Sequence, residues 1–360
     1  MRLCDDSHTA RHCVGRLCEH VFVRWENLTT EEDGRTRLPG YAKPAVVRHF
    51  DAPEALETRF YEVQAKSALN RVPERSRMPF RWTINPYRGC SHACVYCFAR
   101  PTHVYLGLDA GRDFEKEIVV KVNAPEVLRR ELARPSWKGE HVAMGTNTDP
   151  YQWVEGRYKL MRGIWEALRD VRNPCSILTK SPLVLRDLDL LREIAEVTDI
   201  SASFSVPTLD EGAWRETEPH TPSPRARLDA AAKLNAAGIP TGILVAPLMP
   251  GINDDPAQVD AILRAAEEAG ATSVGGIGLH LRGEVRDVFM GWLRDARPDL
   301  VPRYEELYAR GAYAPKAERE RLSGLLRRGR FRGRQASFRL RDHPRPAAPP
   351  RSEPAQGSLF

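Results

Sequence analysis

The sequence predicts an α/β fold: a partial (β/α)6 TIM-like barrel with a C-terminal helical extension and a disordered basic tail. From about residue 80, short apolar runs alternate with amphipathic helical stretches, the pattern of parallel βα units. The alternation repeats six times. Six units joined by right-handed crossovers make an open three-quarter barrel rather than a closed one. With 360 residues, 42% of them hydrophobic, the chain can bury such a core without disulfide bonds.

The predicted domain organisation has four parts. They are an N-terminal extension with little regular structure at 1–79, the barrel at 80–297, the helical extension at 298–330 and the disordered basic, Pro-rich tail at 331–360. The first 50 residues show no sustained periodicity and contain a turn around Pro39 and Gly40. The last 25 residues are rich in Arg, Pro, Ala and Ser, which cannot bury enough apolar surface to order themselves.

Each barrel unit is predicted to begin with a strand and to continue into a helix. The strands are expected at 81–85, 141–146, 176–180, 200–206, 241–246 and 272–280. The helices are expected at 124–133, 157–170, 183–197, 224–237, 256–269 and 284–296. Ser223 and Asp255, each followed by proline, are typical N-caps, while Gly238 and Gly270 stand where two helices should end. Two shorter helices are expected in the extension, at 304–309 and 316–327.

The most specific motif, NPYRGCSHACVYCFAR, directly follows the first predicted strand. Cys90, Cys94 and Cys97 form Cys-x3-Cys-x2-Cys, with Tyr96 before the last cysteine. Three thiolates can bind three irons of a [4Fe-4S] cluster and leave the fourth iron open, whereas electron-transfer clusters usually take four cysteines. The alternative is structural zinc, which needs four closed ligands and would have to recruit His92 from within a tight loop.

The other cysteines carry less information. Cys4, Cys13 and Cys18 match no standard metal-site spacing and are interpreted as incidental thiols. An odd total of seven, with three in eight residues, indicates a reducing compartment rather than a secreted disulfide framework. The first 22 residues lack an apolar run of signal-peptide length, and no later stretch reaches the length of a membrane span. We therefore expect a cytoplasmic protein.

The three-cysteine spacing with its aromatic residue resembles the radical S-adenosylmethionine (SAM) superfamily over roughly residues 80 to 290. The resemblance implies a barrel of the radical SAM type whose cluster binds SAM at the open iron through its amino and carboxylate groups. It implies reductive cleavage of SAM to methionine and a 5′-deoxyadenosyl radical that abstracts hydrogen from a substrate. A low-potential electron donor of the flavodoxin or ferredoxin type is then an expected partner.

Segments at the strand ends resemble the spore photoproduct lyase-like branch, often labelled DNA repair photolyases. They are GTNTDPYQ at 145–152, Lys180, Ser203 with Ser205, Glu218 with Pro219, and PLMPGINDD at 247–255. The resemblance implies cofactor-binding residues: Gly145 and Thr146 at the SAM amino group, and Lys180, Ser203 and Ser205 at its carboxylate and ribose, with Tyr96 beside the cluster.

Simpler interpretations of these residues remain open. Ser203 and Ser205 could fill the barrel interior, Lys180 could be a solvated strand end, and Asp149 could be a turn residue.

One departure from that branch affects the reaction. Spore photoproduct lyase uses a cysteine just beyond strand two to return hydrogen to the product radical, and residues 144–155 contain none. Cys175 begins strand three, at the wrong end of the barrel. Thymine-dimer reversal by that route is not expected, and no catalytic residue is assigned.

Three other side chains have two interpretations each. Tyr151 is a replacement hydrogen donor or a packing residue. Trp153 stacks on a base or packs in the core, and His280 touches substrate or serves a structural role.

The charge distribution suggests partners. The net charge is +6, but residues 316–345 carry eleven Lys or Arg against three acidic residues, so the body is nearly neutral. Such a basic tail either grips nucleic acid or only solubilises the protein. The final residues QGSLF, 356–360, resemble the short peptide by which bacterial DNA repair and replication proteins bind the sliding clamp.

Three functions follow. The first is a radical SAM enzyme, of lyase or transferase type, that repairs or modifies a nucleic-acid base. The second is a radical SAM enzyme acting on a peptide or small molecule. The third is a non-enzymatic metal-binding module. The branch resemblance and the basic tail favour the first.

Overall fold

The computed structural model describes residues 28–31, 37–50, 57–74, 76 and 78–327. The strands are β1 (Leu28–Glu31), β2 (Val46–Phe50), β3 (Arg59–Val63), β4 (Leu69–Arg71), β5 (Trp82–Ile84), β6 (Tyr87–Arg88), β7 (Glu117–Lys121), β8 (Val142–Met144), β9 (Cys175–Thr179), β10 (Ile200–Ser205), β11 (Thr241–Leu248) and β12 (Val274–Gly278). The α-helices are α1 (Arg112–Lys116), α2 (Ala124–Leu132), α3 (Glu155–Tyr158), α4 (Leu160–Asp170), α5 (Leu188–Val197), α6 (Glu211–Thr217), α7 (Pro224–Ala236), α8 (Pro256–Glu268), α9 (Val285–Ala296), α10 (Val301–Leu307) and α11 (Lys316–Leu325).

The larger sheet has the order β12-β11-β10-β9-β8-β5-β4. All six predicted barrel strands lie in it, in chain order and parallel to their neighbours, and β4 pairs antiparallel with β5 at the edge. Among the described residues β4 does not pair with β12, so the sheet stays open. The predicted α/β class is confirmed. Successive parallel order places the carboxyl ends of the six strands at one edge.

The helices between these strands match the predicted ones closely, with one break. The stretch predicted as a single helix at 157–170 is divided at Lys159, whose φ of 53° is left-handed. The carboxylate of Glu155 accepts hydrogen bonds from the amides of Leu160 and Met161 and thereby caps α4. The stretch predicted at 183–197 begins as a 3-10 helix, Pro182–Asp187, before α5.

The predicted helix ends have the expected chemistry. Ser223 accepts from the amide of Ala226, and Asp255 accepts from the amides of Ala257 and Gln258. Gly238 and Gly270 adopt φ values of 84° and 67° just after α7 and α8. These are the left-handed conformations that favour glycine at a helix C-terminus.

The expectation of little regular structure at 1–79 is wrong for residues 28–71, which contain four strands. A second sheet has the order β1-β2-β3-β7-β6, in which β3 pairs parallel with β7. These strands have three to five residues, too short for a clear alternation. Partners distant in sequence stabilise them, as β7 does for β3. The boundary at residue 79 stays a prediction.

Helix α11 covers the edge strand β12 of the barrel sheet. Leu322 and Leu325 of α11 belong to the barrel core and pack on β12. A β-carbon at Gly276 would lie 2.2 Å from Leu326 Cδ1, just after α11, and 2.7 Å from the carbonyl oxygen of Val245 on β11, so glycine allows close packing on both sides of β12. The tail at 331–360, the final peptide 356–360, and Cys4, Cys13 and Cys18 lie outside the described residues. In the described part, no helix has the length and apolarity needed to cross a membrane.

Candidate functional site

The cysteine loop, residues 90–97, follows β5 and β6 on the carboxyl side of the barrel sheet. Cys90 and Cys94 are buried, Cys97 is half-buried, and all three are free thiols. The amide of Cys90 donates to the carbonyl of Phe114 at 2.9 Å, and the amide of Val95 donates to the carbonyl of Thr217 at 3.1 Å. Two distant segments therefore hold the loop at both ends.

Arg100 holds the cysteine loop in place, and the sequence did not predict this role. Its side chain is 1% exposed and pairs with Glu115. The guanidinium donates to four backbone carbonyls, those of Ala93, Cys94, Ala110 and Gly111. Ala93 has a left-handed φ of 55°, and the hydrogen bonds that Arg100 donates to the carbonyls of Ala93 and Cys94 stabilise this turn. One arginine among many gives no sequence signal for this role.

A buried polar network collects three of the predicted cofactor-binding residues beside the cysteine loop. Glu218 is fully buried and accepts from the hydroxyl of Tyr96 and from Arg227, the latter at 2.5 Å. The Lys180 ammonium lies 3.5 Å from the Glu218 carboxylate and donates to Ser205 Oγ at 2.9 Å. We call Tyr96, Lys180, Ser205, Glu218 and Arg227 the glutamate network. From the sequence, Glu218 was identified only as part of a segment that resembles the spore photoproduct lyase-like branch, and Arg227 was not identified.

The charges in the glutamate network are coupled. Burial by itself would raise the pKa of Glu218, but Arg227 and Lys180 outweigh it and lower that pKa below its ordinary value. Burial by itself would lower the pKa of Lys180, but the Glu218 carboxylate helps to raise it. One buried carboxylate is thus shared by two cations. The Lys180 ammonium also lies 5.8 Å from the centre of the Tyr96 ring, within the range of a cation–π contact.

Gly145 directly follows β8 and has a φ of 73°. A β-carbon there would lie 1.7 Å from the carbonyl oxygen of Leu178, on the neighbouring strand. Only glycine therefore allows the first turn of the GTNTDPYQ segment. Thr146 follows in that turn and is half-buried. Its expected contact with a cofactor stays a prediction.

Asp149 is the turn residue that the simpler interpretation expected, and it also connects two strand ends. Its carboxylate accepts from the amide of Tyr151, the hydroxyl of Thr179 and the amide of Lys180, at 2.7–2.9 Å. His92 Nδ1 lies 3.5 Å from the same carboxylate. Burial lowers the pKa of His92 to about 4, so the ring is neutral at pH 7.

The two serines of β10 share one face of the strand. Ala202 and Phe204 point into the apolar core, so Ser203 and Ser205 lie on the opposite face. Ser205 contacts Lys180 and the carbonyl of Ala246, whereas Ser203 is half-buried. The assignment of Ser203 to a cofactor stays a prediction.

Tyr151 is a core residue. It is fully buried, its hydroxyl donates to Asp187 at 2.8 Å, and it accepts from the indole of Trp165 at 2.7 Å. These contacts favour the packing interpretation over a hydrogen donor. Cys175 begins β9 and lies in the same core, at the strand end away from the cysteine loop, as expected.

Trp153 packs beside the second sheet, with its ring 5.8 Å from that of Phe50 and 6.2 Å from that of Phe60. These contacts favour the core interpretation over base stacking.

An exposed row of aromatic rings borders the cysteine loop. Phe98, the residue after Cys97, is 54% exposed, and its ring centre lies 6.2 Å from that of His280. His280 stacks on Tyr313, which is 47% exposed, at 5.7 Å and 24°. The Arg282 guanidinium lies 5.0 Å from the Tyr313 ring centre. We call Phe98, His280, Tyr313 and Arg282 the aromatic row. His280 therefore lies near the reactive face, as the sequence suggested.

The cysteine loop fits an iron-sulfur cluster. Burial raises the pKa of Cys90 and Cys97 above the ordinary thiol value and that of Cys94 to about 12. Thiolates here need a nearby positive charge, which bound iron supplies. Ser91 Oγ is buried without a hydrogen-bond partner among the described residues. No group of three His, Cys, Asp or Glu in the described part converges on a single ion, and a cluster with one thiolate per iron does not require that.

Comparison with known proteins adds a family match. The model of the Radical SAM superfamily matches residues 84–270, more than half of the chain. The uncharacterized protein Rv2578c of Mycobacterium tuberculosis is 48% identical over 346 residues, which covers 94% of this chain and all of the relative. The uncharacterized protein MJ0683 of Methanocaldococcus jannaschii is 30% identical over 195 residues, 54% of this chain and 69% of the relative.

Solved structures show the same fold at low identity. Spore photoproduct lyase complexed with dinucleoside spore photoproduct has a TM-score of 0.55 and 18% identity, covering 74% of this chain and 77% of that one. A spore photoproduct lyase mutant with bound AdoMet and dinucleoside spore photoproduct has a TM-score of 0.52 and 18% identity, covering 71% and 74%.

Proposed function

This chain belongs to the radical SAM superfamily, and from that premise we propose that it cleaves SAM at a [4Fe-4S] cluster in order to repair or modify a nucleic-acid base. Cys90, Cys94 and Cys97 would hold the cluster. When bound, cluster and SAM together supply one-electron cleavage of the sulfonium, which releases methionine and yields a 5′-deoxyadenosyl radical. The chain's own residues bind, orient and shield these groups.

The observation that carries this proposal is the contact between the cysteine loop and the glutamate network. Lys180 presents a positive charge at the end of the third barrel strand, next to Tyr96 of the loop. A SAM carboxylate is the anion that this charge would receive. Glu218 holds the ammonium in place, and Arg227 fixes Glu218, because these two side chains are fully buried and paired with each other.

The glycine turn at 145–146 would receive the SAM amino group. The backbone of Gly145 packs against the carbonyl oxygen of Leu178, so this turn lies directly beside the strand that leads to Lys180. Asp149 accepts from the amide of Lys180 and connects the turn to that strand end. The amino and carboxylate groups of SAM are attached to the same carbon, so two neighbouring strand ends would bind both.

The first experiment is anaerobic reconstitution with iron and sulfide, reduction with dithionite, addition of SAM and quantification of 5′-deoxyadenosine. We expect product from the wild type and none from Cys94→Ala. Cys175→Ala is the matched control, because Cys175 is equally buried but lies in the core away from the loop. Wild-type protein with a full cluster and no 5′-deoxyadenosine would contradict the proposal and favour a metal-binding module.

The aromatic row supports a nucleic-acid base as substrate. Two partly exposed rings, the His280 imidazole and a guanidinium offer flat surfaces on which an unpaired base can stack. Phe98 joins this row directly to Cys97. The similar spore photoproduct lyase was solved with a dinucleoside photoproduct. Since residues 144–155 contain no cysteine, we propose a different route for returning hydrogen to the product radical.

A peptide or small-molecule substrate is the competing proposal. Phe98→Ala and Tyr313→Ala should each weaken binding of a single-stranded oligonucleotide without lowering cluster content. Oligonucleotide affinity equal to wild type in both variants would favour the competing proposal.

The proposed function also includes three partners: an electron donor, nucleic acid and a sliding clamp. A flavodoxin- or ferredoxin-type donor would supply the electron, and the cytoplasm is the compartment where such donors operate. The basic tail would grip nucleic acid, and residues 356–360 would bind a sliding clamp.

A further inference from the structure

A cationic cavity is lined by residues of both sheets and includes Arg88, two residues before the cysteine loop. Its volume is about 340 Å³, and it is lined by Lys66, Arg88 and Lys121 together with Tyr41 and Tyr105. We call it the cationic cavity. The loop at 39–41, the connection from β3 to β4, β6 and the end of β7 contribute to it. Its described lining includes no aspartate or glutamate.

The cations in this cavity lack compensating charge. Lys121 is 6% exposed, and its ammonium donates to the carbonyl of Asn85 at 2.8 Å. Burial, together with the nearby charge of Arg88, lowers the pKa of Lys121 to about 8. Neither Lys121 nor Arg88 forms an ion pair with a carboxylate among the described residues. Two neighbouring cations without an anion are unfavourable, so a bound anion would stabilise this arrangement.

A carboxylate in contact with the rim of the cavity has other hydrogen-bond partners. Glu131 accepts from the hydroxyl of the rim residue Ser67 at 2.6 Å and from the amides of Ala68 and Leu69. It therefore caps the turn before β4 rather than neutralising the cavity. The positive charge of Lys66, Arg88 and Lys121 remains available to a ligand.

We propose that the cationic cavity binds a backbone phosphate of single-stranded nucleic acid, with Arg88 and Lys121 on the phosphate and Tyr105 against an adjacent base. This inference rests on the proposed nucleic-acid substrate. An arginine fork matches phosphate geometry, and Lys66 adds charge at the rim. Tyr105 is 78% exposed, so its ring face is open to stacking.

The position of the cavity suits a substrate strand. Arg88 precedes Cys90 by two residues, so their Cα atoms are at most about 7 Å apart. A phosphate held at Arg88 would place the neighbouring nucleotides close to the cysteine loop. The cavity would thus fix the strand while the aromatic row receives the reacting base.

The test is fluorescence anisotropy of a labelled single-stranded oligothymidylate with the cluster-loaded protein over a range of salt concentrations. Removal of one cation that neutralises a phosphate should reduce the slope of log affinity against log salt by about 0.7. Arg88 and Lys121 would share one phosphate, so we expect a reduction of up to this size for Arg88→Gln and for Lys121→Gln, and a smaller one for Lys66→Gln. Lys233→Gln is the matched control, because Lys233 is an exposed lysine of α7 outside the cavity, and it should keep the wild-type slope.

Two results would overturn the inference. One is a wild-type slope in Arg88→Gln and Lys66→Gln; these variants remain informative if Lys121→Gln, which alters a buried residue, unfolds in a melting experiment. The other is wild-type protein that does not bind the oligonucleotide. Production of 5′-deoxyadenosine without substrate, measured in the same preparations, separates failure of this inference from failure of the radical SAM proposal.

Discussion

At two positions near the site, the surrounding backbone allows only the residue that is present. Gly145 is required by a carbonyl 1.7 Å from its missing β-carbon, and Arg100 is required by four carbonyls that face one guanidinium. Arg100 supports the cysteine loop, whereas Gly145 forms the turn that would receive the SAM amino group.

Replacement of Gly145 by alanine should destabilise the protein by about 3 kcal/mol or more, because it adds a backbone clash to the cost of a positive φ. Gly238→Ala is the matched control. Its φ is also positive, but nothing lies within 4 Å, so the cost should be about 1 kcal/mol. Urea unfolding of both variants measures the difference. Equal losses would show that the β8–β9 contact relaxes around the added methyl group.

Arg100→Lys should lower cluster retention, since a lysine ammonium cannot reach four carbonyls and Glu115 at once. Iron content per chain after gel filtration and the electron paramagnetic resonance signal of the reduced cluster report this directly. We expect a loss of stability of about 3 kcal/mol as well, as for other broken buried pairs. Arg112→Lys, which changes an exposed pair with Glu57, should retain iron and stability at wild-type level. Full iron content in Arg100→Lys would contradict the positioning role.

At the scale of elements, the strands and their connecting helices follow local pattern, and the deviations have local causes. The break between α3 and α4 comes from the Glu155 carboxylate, which caps the second helix and also accepts from Tyr87 and Arg186. The 3.6-residue periodicity continues across the break, so the sequence predicts one helix. A single buried carboxylate, whose partners come from other elements, was enough to divide it.

Lys159→Gly should stabilise the protein by up to about 1 kcal/mol, because Lys159 adopts a left-handed φ of 53° that glycine adopts without strain. Lys233→Gly, in the interior of α7, should instead cost about 1 kcal/mol. Both lysines are exposed, so the comparison isolates the backbone. Thermal melting should show a higher melting temperature for Lys159→Gly and a lower one for Lys233→Gly. A lower melting temperature in both variants would mean that glycine is not preferred at position 159.

At the scale of the whole molecule, the C-terminal extension is part of the barrel rather than an appendage. Leu322 and Leu325 lie in the barrel core, so α11 covers the edge strand β12. This changes how the basic segment at 316–345 should be tested. Its first part, α11, belongs to the core, so a deletion that includes α11 would expose the edge strand.

Deletion of residues 331–360 should leave unfolding and 5′-deoxyadenosine production unchanged while weakening salt-dependent oligonucleotide binding. Deletion from residue 316 should also destabilise the barrel, because it removes Leu322 and Leu325 from the core. Anisotropy and thermal melting of the two truncations distinguish these effects. Unchanged oligonucleotide binding after the shorter deletion would leave the tail a solubilising segment.

Local periodicity, N-caps and a motif of eight residues predict the six parallel units, their order and the three-cysteine loop. Strand-end motifs also pointed to Gly145, Lys180 and Ser205. The pairing of Glu218 with both Lys180 and Arg227, the support of the loop by Arg100 and the second sheet that includes β1, β2 and β3 became apparent only in the folded protein. Those features come from contacts between residues far apart in sequence, and a buried ion pair or a short strand leaves no mark in local pattern until its partner is placed.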